Sequence, residues 1–348
     1  MPPDHEPPPP LRLAIDRAAL AHNWRALDAL SGSASAGAAV KANAYGVGVH
    51  VAIPVLAAAG CRDFFVAHWC EAAEIIEMVD PASVAVLHGP LDGRDVAWAR
   101  AHGVRPVINS LAQAARWLDG GGGACDLMVD TGMHRLGLPL AELGDPLVAR
   151  LDVAVLMSHL ASAEEDSPLN DLQRIRWEAA RRTLPHARAS LANSAGIALG
   201  PAWHGDLTRP GLALYGGVPC AALAPHIRQV VTPEAAILQV RDVGTGDTLG
   251  YSATFTAPGP MRVGVIALGY ADGYLQCWSD KGSVHAAGQN LPVLGRVSMD
   301  MTIVDLTTAP ELGEGDWLKI NYDLPCAATA SGLSQYELLT LLGKRFAR

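Results

Sequence analysis

A lysine at the end of a short apolar run is the first residue of this sequence that could do chemistry. Lys41 follows Ala38-Ala39-Val40, and Tyr45 lies four residues beyond it. The run predicts a buried strand that delivers Lys41 to its carboxyl end. A lysine in apolar surroundings can lose its proton and attack a carbonyl carbon, whereas an arginine cannot. The alternative is a strand-end lysine whose amine simply reaches solvent.

Further polar residues follow other predicted strands, on the side where a parallel barrel carries its active site. They lack the paired carboxylates of a glycosidase and the carboxylate cluster of a magnesium site, so no metal is predicted. A lysine together with small residues that can surround a phosphate is typical of a pyridoxal 5′-phosphate site. The strand-end set comprises Asp130, Thr131, Gly132, Arg135, Ser158, His159, Asn193, Ser194, Gly196, Arg209 and Gly211.

Each of these residues also has an ordinary structural explanation. His159 could be a hydrogen-bonded core histidine, and Asn193 could do no more than cap a helix. Arg135 and Arg209 could be surface residues, as most arginines are, and Gly211 could be a turn. The inference therefore depends on their shared position at strand ends, not on any one of them.

Composition narrows the class of protein. The chain has 348 residues, is 50% hydrophobic and carries a net charge of −9, which argues against a nucleic-acid or anionic-membrane partner. The six cysteines show no zinc spacing, so we expect reduced thiols in a cytoplasmic protein. No apolar run approaches the roughly 20 residues of a membrane span. Residues 1–10 are proline-rich and are predicted to form a disordered tail.

The order of predicted elements indicates two domains. Eight candidate strands, most of them followed by a helical pattern, predict a (β/α)₈ barrel over residues 11–229. A doubly wound sheet is the alternative, but no G-x-G-x-x-G follows the first strand. Within the barrel, Asn109 is expected to cap a helix, and Leu207 to Tyr215 to form the last strand. Residues 230–348 contain short strand patterns between turns and are predicted to form a β-rich domain.

Seven motifs occur in order along the chain. They are AVKANAYG (39–46), DTGMHRLG (130–137), SHLA (158–161), ANSA (192–195), RPGLALYG (209–216), GYADGY (269–274) and GRVSMD (295–300). In these motifs the chain resembles the alanine racemase family, from about residue 11 to the C terminus. The resemblance implies an isomerase that binds pyridoxal 5′-phosphate on an N-terminal barrel and has a C-terminal β domain.

The resemblance also implies roles for individual residues. Lys41 would bind the cofactor covalently and act as one base, while Tyr251 from the partner subunit would act on the opposite face of the substrate. Two opposed proton carriers are the simplest way to invert a carbon centre. Because a free phenol titrates at about pH 10, such a tyrosine needs a nearby positive charge, and Arg135 is implied for that contact and for the substrate carboxylate. Without the resemblance, Tyr251 is interpreted as an ordinary strand tyrosine.

Further roles complete the implied site. Arg209 would face the pyridine nitrogen and keep it unprotonated, which restrains side reactions such as transamination. His159 would lie beside the ring, and the main chain of Met299 would contact substrate in the partner's site, so the family implies a homodimer with shared active sites. The remaining cofactor-binding residues implied are Tyr45, Asn193, Ser194, Gly211 and Tyr336.

One position departs from the family pattern. Many members have a carbamylated lysine two residues before the DTGM motif, and here that position is Met128. The expected function is interconversion of L- and D-alanine, supplying D-alanine for peptidoglycan. Met128 and His88 keep open a broad-specificity or serine-type racemase. A protein that binds the cofactor but is not a racemase is the alternative of another class.

Overall fold

The computed structural model describes residues 7–348, which form two compact units. The barrel unit is Arg17–Arg228, and the β unit combines Gln229–Arg348 with the described residues up to Asp16. The predicted boundary at residue 11 therefore differs from the structure. Strand Leu11–Ile15 pairs antiparallel with Val231–Val243, so it belongs to the sheet of the β unit. Most of the predicted tail, residues 1–6, lies outside the described residues.

The barrel unit is built on short parallel strands. Leu207–Thr208 pairs with Ser35–Ala36 at one side, and the Arg209 amide donates to the Ala192 carbonyl at the other, so the order of strands returns to its start. The predicted (β/α)₈ architecture is confirmed. The strands are Ser35–Ala36, Ala38–Ala39, Phe64–Val66, Val84–Val86, Arg105–Ile108, Ala124–Asp130, Asp152–Met157, Arg188–Ser190 and Leu207–Thr208, with Leu138–Pro139 added beside Ala124–Asp130.

The last barrel strand is shorter than predicted. It ends at Thr208, because Pro210 has no amide to donate to a neighbouring strand and Leu212–Tyr215 turns into a 3₁₀ helix. The chain therefore leaves the sheet just before Gly211, which places the glycine in a bend at the mouth of the barrel.

Helices connect the strands of the barrel unit. Ser110, not Asn109, caps one of them by accepting a hydrogen bond from the Gln113 amide at 3.2 Å. The Asn109 side chain instead donates to the Leu87 and Val107 carbonyls. The α-helices are Arg17–Leu30, Val49–Ala59, Trp69–Ile75, Gly93–His102, Leu111–Asp119, Pro168–Thr183 and Ser194–Ala198. The short segment Lys41–Tyr45 is a turn with left-handed backbone angles.

Charged residues join the amino-terminal ends of the barrel strands. Arg188 donates to both carboxylate oxygens of Asp63, and Arg105 donates to Asp126 at 3.1 Å. Asp63 and Asp126 are buried. This end of a barrel is the one opposite the active site, so these ion pairs serve the stability of the fold.

The β unit is an antiparallel sheet that closes on itself. Val231–Val243 pairs with Leu11–Ile15, Met261–Ile266 and Trp317–Ile320, which brings both ends of the strand order together. The β-rich prediction is confirmed. The other elements are Ser283–Ala286, Gln289–Leu294, Thr302–Asp305, the pair Thr248–Leu249 and Phe255–Thr256, and the helices Leu324–Ser331 and Gln335–Thr340. Among the described helices, none has the length and apolarity to cross a bilayer.

Candidate active site

Lys41 stands where the chain leaves the first barrel strand, as the sequence predicts. The four residues after it, Ala42 to Tyr45, all have left-handed backbone angles, with φ between 52° and 54°. Such a run is costly for residues with a side chain, so the surroundings must hold it. Asn43 Oδ1 accepts from the Val49 amide at 2.8 Å, and Glu71 Oε1 accepts from the Ala42 amide at 2.6 Å. These contacts fix the turn that presents Lys41.

The surroundings of Lys41 favour its neutral amine. Burial lowers the pKa of Lys41, and the positive charges of Arg135 and Arg209 lower it further, while Glu71 opposes them. A neutral amine is the nucleophile and the base that the sequence predicts here.

Arg209 is a buried cation held by two acceptors. Its guanidinium donates to Ser190 Oγ and to the Ser158 carbonyl. Burial lowers the pKa of Arg209 to about 10, and Asp126 acts in the opposite direction. The side chain therefore stays charged at neutral pH in one orientation.

His159 is neutral in this setting. Burial, followed by the positive charges of Arg209, Arg135 and Lys41, lowers the pKa of His159 to about 3. Arg135 and Arg209 also lower the pKa of Lys41, so the structure brings together four of the predicted residues. The positive charges of Arg135 and Arg209 suit an anionic ligand at the mouth of the barrel.

Tyr45, Ser194 and the backbone of Gly211 lie close together and form a group that we call the cradle. Ser194 Oγ accepts hydrogen bonds from the amides of Gly211 and Ala213, at 2.9 and 3.2 Å. A Cβ atom on Gly211 would stand 2.4 Å from Tyr45 Oη, so only glycine leaves room for the phenol. Asn193 caps the helix that begins at Ser194. Four predicted cofactor residues thus lie together.

The side chain of Tyr45 is a neutral phenol in this cradle. Burial raises the pKa of Tyr45 to about 12, so its hydroxyl keeps its proton and can donate. Its ring stacks on Tyr215 with centroids 5.0 Å apart, and Tyr215 in turn donates to the Ala39 carbonyl. The stacked pair fixes the hydroxyl beside Gly211.

Arg135 is carried by a loop that a single carboxylate organises. Asp130 Oδ1 accepts from the amides of Gly132, Met133 and His134, at 2.9 to 3.1 Å. Within the described residues, Arg135 forms no ion pair with a carboxylate. Met128 is buried in the strand that precedes the loop, so this chain has no lysine at that position to be carbamylated.

Comparison with known proteins identifies the family. The model of the alanine racemase N-terminal domain matches residues 15–219, and that of the alanine racemase C-terminal domain matches residues 230–348. The chain belongs to the alanine racemase family. The alanine racemase of Acidiphilium cryptum is 41% identical over 97% of each chain. That of Rhodospirillum rubrum is 42% identical, over 99% of this chain and 96% of its own.

Solved alanine racemases share the fold over almost the whole chain. The Bartonella henselae alanine racemase, a structure with covalently bound pyridoxal phosphate, superposes with a TM-score of 0.89 at 35% identity, covering 98% of this chain and 99% of its own. The biosynthetic alanine racemase of Pseudomonas aeruginosa gives a TM-score of 0.86 at 33% identity with the same coverage.

The remaining predicted residues of this alanine racemase family member lie in the β unit. Tyr251 is 70% exposed and Met299 is 54% exposed, while Tyr336 is partly buried in helix Gln335–Thr340. Gly250 precedes Tyr251 with φ 68°, a left-handed angle that glycine adopts without strain. The roles of these three residues toward Lys41 stay predictions.

Glu71 is a residue of the site that was not predicted from the sequence. Its Oε2 accepts from the amides of Ala67 and His68, while its Oε1 holds the turn after Lys41. One signal was present: Glu71 is the third residue after His68, which is the spacing of a capping box. That spacing predicts a helix start at His68, but not the contact of Glu71 with the turn after Lys41.

Proposed function

We propose that this protein interconverts L-alanine and D-alanine with pyridoxal 5′-phosphate as its cofactor. The observation that carries the proposal is the amine of Lys41, whose pKa is lowered at the barrel mouth by burial and by two arginines. The resemblance to named alanine racemases over nearly the full length supports the same reaction. The covalently bound cofactor of the Bartonella henselae structure supports the choice of cofactor.

The residues present fit that cofactor. Lys41 is the amine that would hold its aldehyde carbon, and Arg209 is the cation that would face its ring nitrogen. The close approach of Tyr45 Oη, Ser194 Oγ and the Gly211 backbone would hold its phosphate, with Tyr336 completing the set. The chemistry that the bound cofactor supplies is withdrawal of electrons from the substrate Cα, which makes its proton acidic.

The reaction then depends on proton transfers by two side chains. Lys41 Nζ exchanges a proton with one face of Cα, and Tyr251 Oη of the partner exchanges one with the opposite face. Arg135 binds the substrate carboxylate, which keeps Cα between the two groups. His159, being neutral, adds no positive charge beside the ring. Arg209 keeps its own proton, which restrains transamination.

The active unit would be a homodimer. Tyr251 and Met299 are the exposed residues that would enter the site of a partner, and their exposure supports this assembly. The D-alanine that is formed would be used for peptidoglycan. A cytoplasmic location is proposed because the six cysteines are unpaired, as is usual in a reducing compartment. Neither a nucleic acid nor a membrane is proposed as a partner of this acidic chain.

A chiral assay tests the proposal directly. Purified protein with added pyridoxal 5′-phosphate should convert either enantiomer of alanine to an equal mixture. The same assay with serine and a panel of other amino acids should show a preference for alanine. Bound cofactor with alanine left optically unchanged would overturn the function, and equal turnover of serine would favour the broad-specificity alternative.

A further inference from the structure

Near the C terminus, Arg345 joins two turns of the β unit. Its Nε donates to Asp272 Oδ1 at 2.7 Å, and its Nη1 donates to Asp300 Oδ1 at 2.8 Å. Asp272 is fully buried, whereas Asp300 is half exposed. One guanidinium therefore bridges two carboxylates that belong to different motifs of the chain.

The two turns are bonded to each other through their backbones. The Ala271 amide donates to the Met299 carbonyl at 2.9 Å, and the Tyr270 amide donates to the Ser298 carbonyl at 3.0 Å. Asp272 closes its own turn, since its Oδ2 accepts from the Gly269 amide at 3.0 Å. The position of Met299 thus depends on the turn that Asp272 shapes.

The two turns are packed in direct contact at Gly269 and Met299. A Cβ atom on Gly269 would stand 2.3 Å from the Met299 carbonyl oxygen, and that neighbour is backbone, which cannot rotate away. A shift of the Asp272 turn is therefore transmitted to the main chain of Met299. Arg345 is the side chain that ties both ends of this pair of turns together.

Among residues 7–348, the backbone N–H of Met299 is an unpaired hydrogen-bond donor. The carbonyl of Met299 is used by Ala271, but its N–H has no hydrogen-bond acceptor among the described residues, and the residue is 54% exposed. A free N–H held in a fixed direction is suited to a carboxylate oxygen. This donor belongs to the residue that is proposed to contact substrate in the partner subunit.

We propose that Arg345 is a positioning residue, which acts through Asp272 and Asp300 to aim the Met299 amide at the substrate carboxylate. The inference rests on the proposed function, because it needs an amino-acid substrate in the partner's site. Arg345 itself touches no substrate. Since a carboxylate contact is the same in the ground state and the transition state, its loss raises KM and leaves kcat nearly unchanged.

The chain offers a matched control for this cluster. Arg12, also in the β unit, donates to the buried carboxylate of Glu234, and its side chain is 48% exposed against 49% for Arg345. Arg345→Met should raise KM for alanine about tenfold with kcat changed less than about threefold. Arg12→Met removes a comparable ion pair but should leave KM at the wild-type value.

Propionate provides a second measurement, because it keeps the carboxylate of alanine and lacks the amine. Its inhibition constant should rise by the same factor as KM in Arg345→Met and stay unchanged in Arg12→Met. Should Arg345→Met not give folded protein, Asp300→Asn removes only the half-exposed carboxylate and should raise both constants about threefold.

The outcomes separate the two proposals. An Arg345→Met enzyme with the KM and propionate constant of Arg12→Met would overturn the positioning role and leave the racemase function intact. A fall in kcat without a change in either constant would overturn it as well. Wild-type protein that does not racemise alanine would remove the proposed function and, with it, this role of Arg345.

Discussion

Lys41 owes its chemistry to its neighbours. Burial disfavours its charged form, and Arg135 and Arg209 add repulsion, so the amine reaches its neutral form below the ordinary lysine value of 10.5. Two arginines are thus kept close to the Lys41 amine, with Glu71 as the nearby anion that opposes their effect. Such an arrangement is unfavourable for stability, which is typical of a binding site for anions.

Removing the nucleophile while keeping the charge tests the role of Lys41. Lys41→Arg should lose at least about 10³-fold in racemisation, because a guanidinium neither attacks an aldehyde nor gives up its proton. After borohydride reduction, mass spectrometry should find no cofactor attached to this variant. Lys281→Arg, at an exposed site, is the control and should behave as wild type. Activity within tenfold of wild type in Lys41→Arg would contradict the assignment.

The pH dependence of cofactor capture tests the influence of Arg135. Capture requires the neutral amine, so its rate should rise with pH through the lowered pKa of Lys41, with a midpoint below 10.5. Arg135→Met removes a charge that lowers this pKa, so the midpoint should move to higher pH. Arg135→Lys keeps the charge and should keep the midpoint. A midpoint that stays in place in Arg135→Met would show that Arg135 does not influence this pKa.

At the scale of elements, the left-handed turn after Lys41 is the least expected feature. Alanine is disfavoured in this conformation by about 1 kcal/mol per residue, yet Ala42 and Ala44 both adopt it. Local sequence supplies the contact of Asn43 with the Val49 amide. It does not predict the second support of the turn, which comes from Glu71 on the next strand–helix unit. Sequence patterns report on local preference and burial, not on contacts between units.

A pair of alanine-to-glycine substitutions tests that turn. In Ala42→Gly, the relief of left-handed strain offsets the added freedom of the unfolded chain, so the free energy of unfolding should stay within about 0.5 kcal/mol. Ala97→Gly, on the exposed face of helix Gly93–His102, should lower it by about 1 kcal/mol. Equal losses in the two variants, measured by denaturant unfolding, would contradict the left-handed geometry.

The ion pairs at the strand starts supply a second test at this scale. Asp63→Ala removes the carboxylate that pairs with Arg188 and Arg105, so both cations lose a partner in a mostly buried position. The free energy of unfolding should therefore fall by about 3 kcal/mol. Asp171→Ala breaks the solvent-exposed pair with Arg174 and should leave stability nearly unchanged. Catalytic constants of Asp63→Ala should stay near wild type, because this end of the barrel lies opposite the site.

Much of the barrel could be predicted because its strands are short, buried and regularly spaced. Strand ends also located Lys41, Arg135, His159 and Arg209, since a parallel barrel collects its carboxyl ends at one mouth. The placement of Leu11–Ile15 could not be predicted. Its partner strand lies more than two hundred residues away in sequence, and local pattern carries no information about pairing over that distance.

At the scale of the whole molecule, the proposed catalytic residues are divided between the two units of the chain. The barrel unit carries Lys41 and the cradle around Gly211, while the β unit carries Tyr251 and Met299. The proposal that Tyr251 serves the site of a second subunit makes activity a property of the dimer. Dilution below the dimer dissociation constant should therefore abolish activity while each chain stays folded.

Complementation between two inactive chains measures this division most directly. Lys41→Ala and Tyr251→Phe should each lack racemase activity as homodimers. When equal amounts of the two chains are refolded or expressed together, half of the dimers are mixed, and each mixed dimer has one site with both residues intact. Mixing should therefore recover about one quarter of wild-type activity. No recovery, with mixed dimers demonstrated by mass spectrometry, would contradict a site shared between subunits.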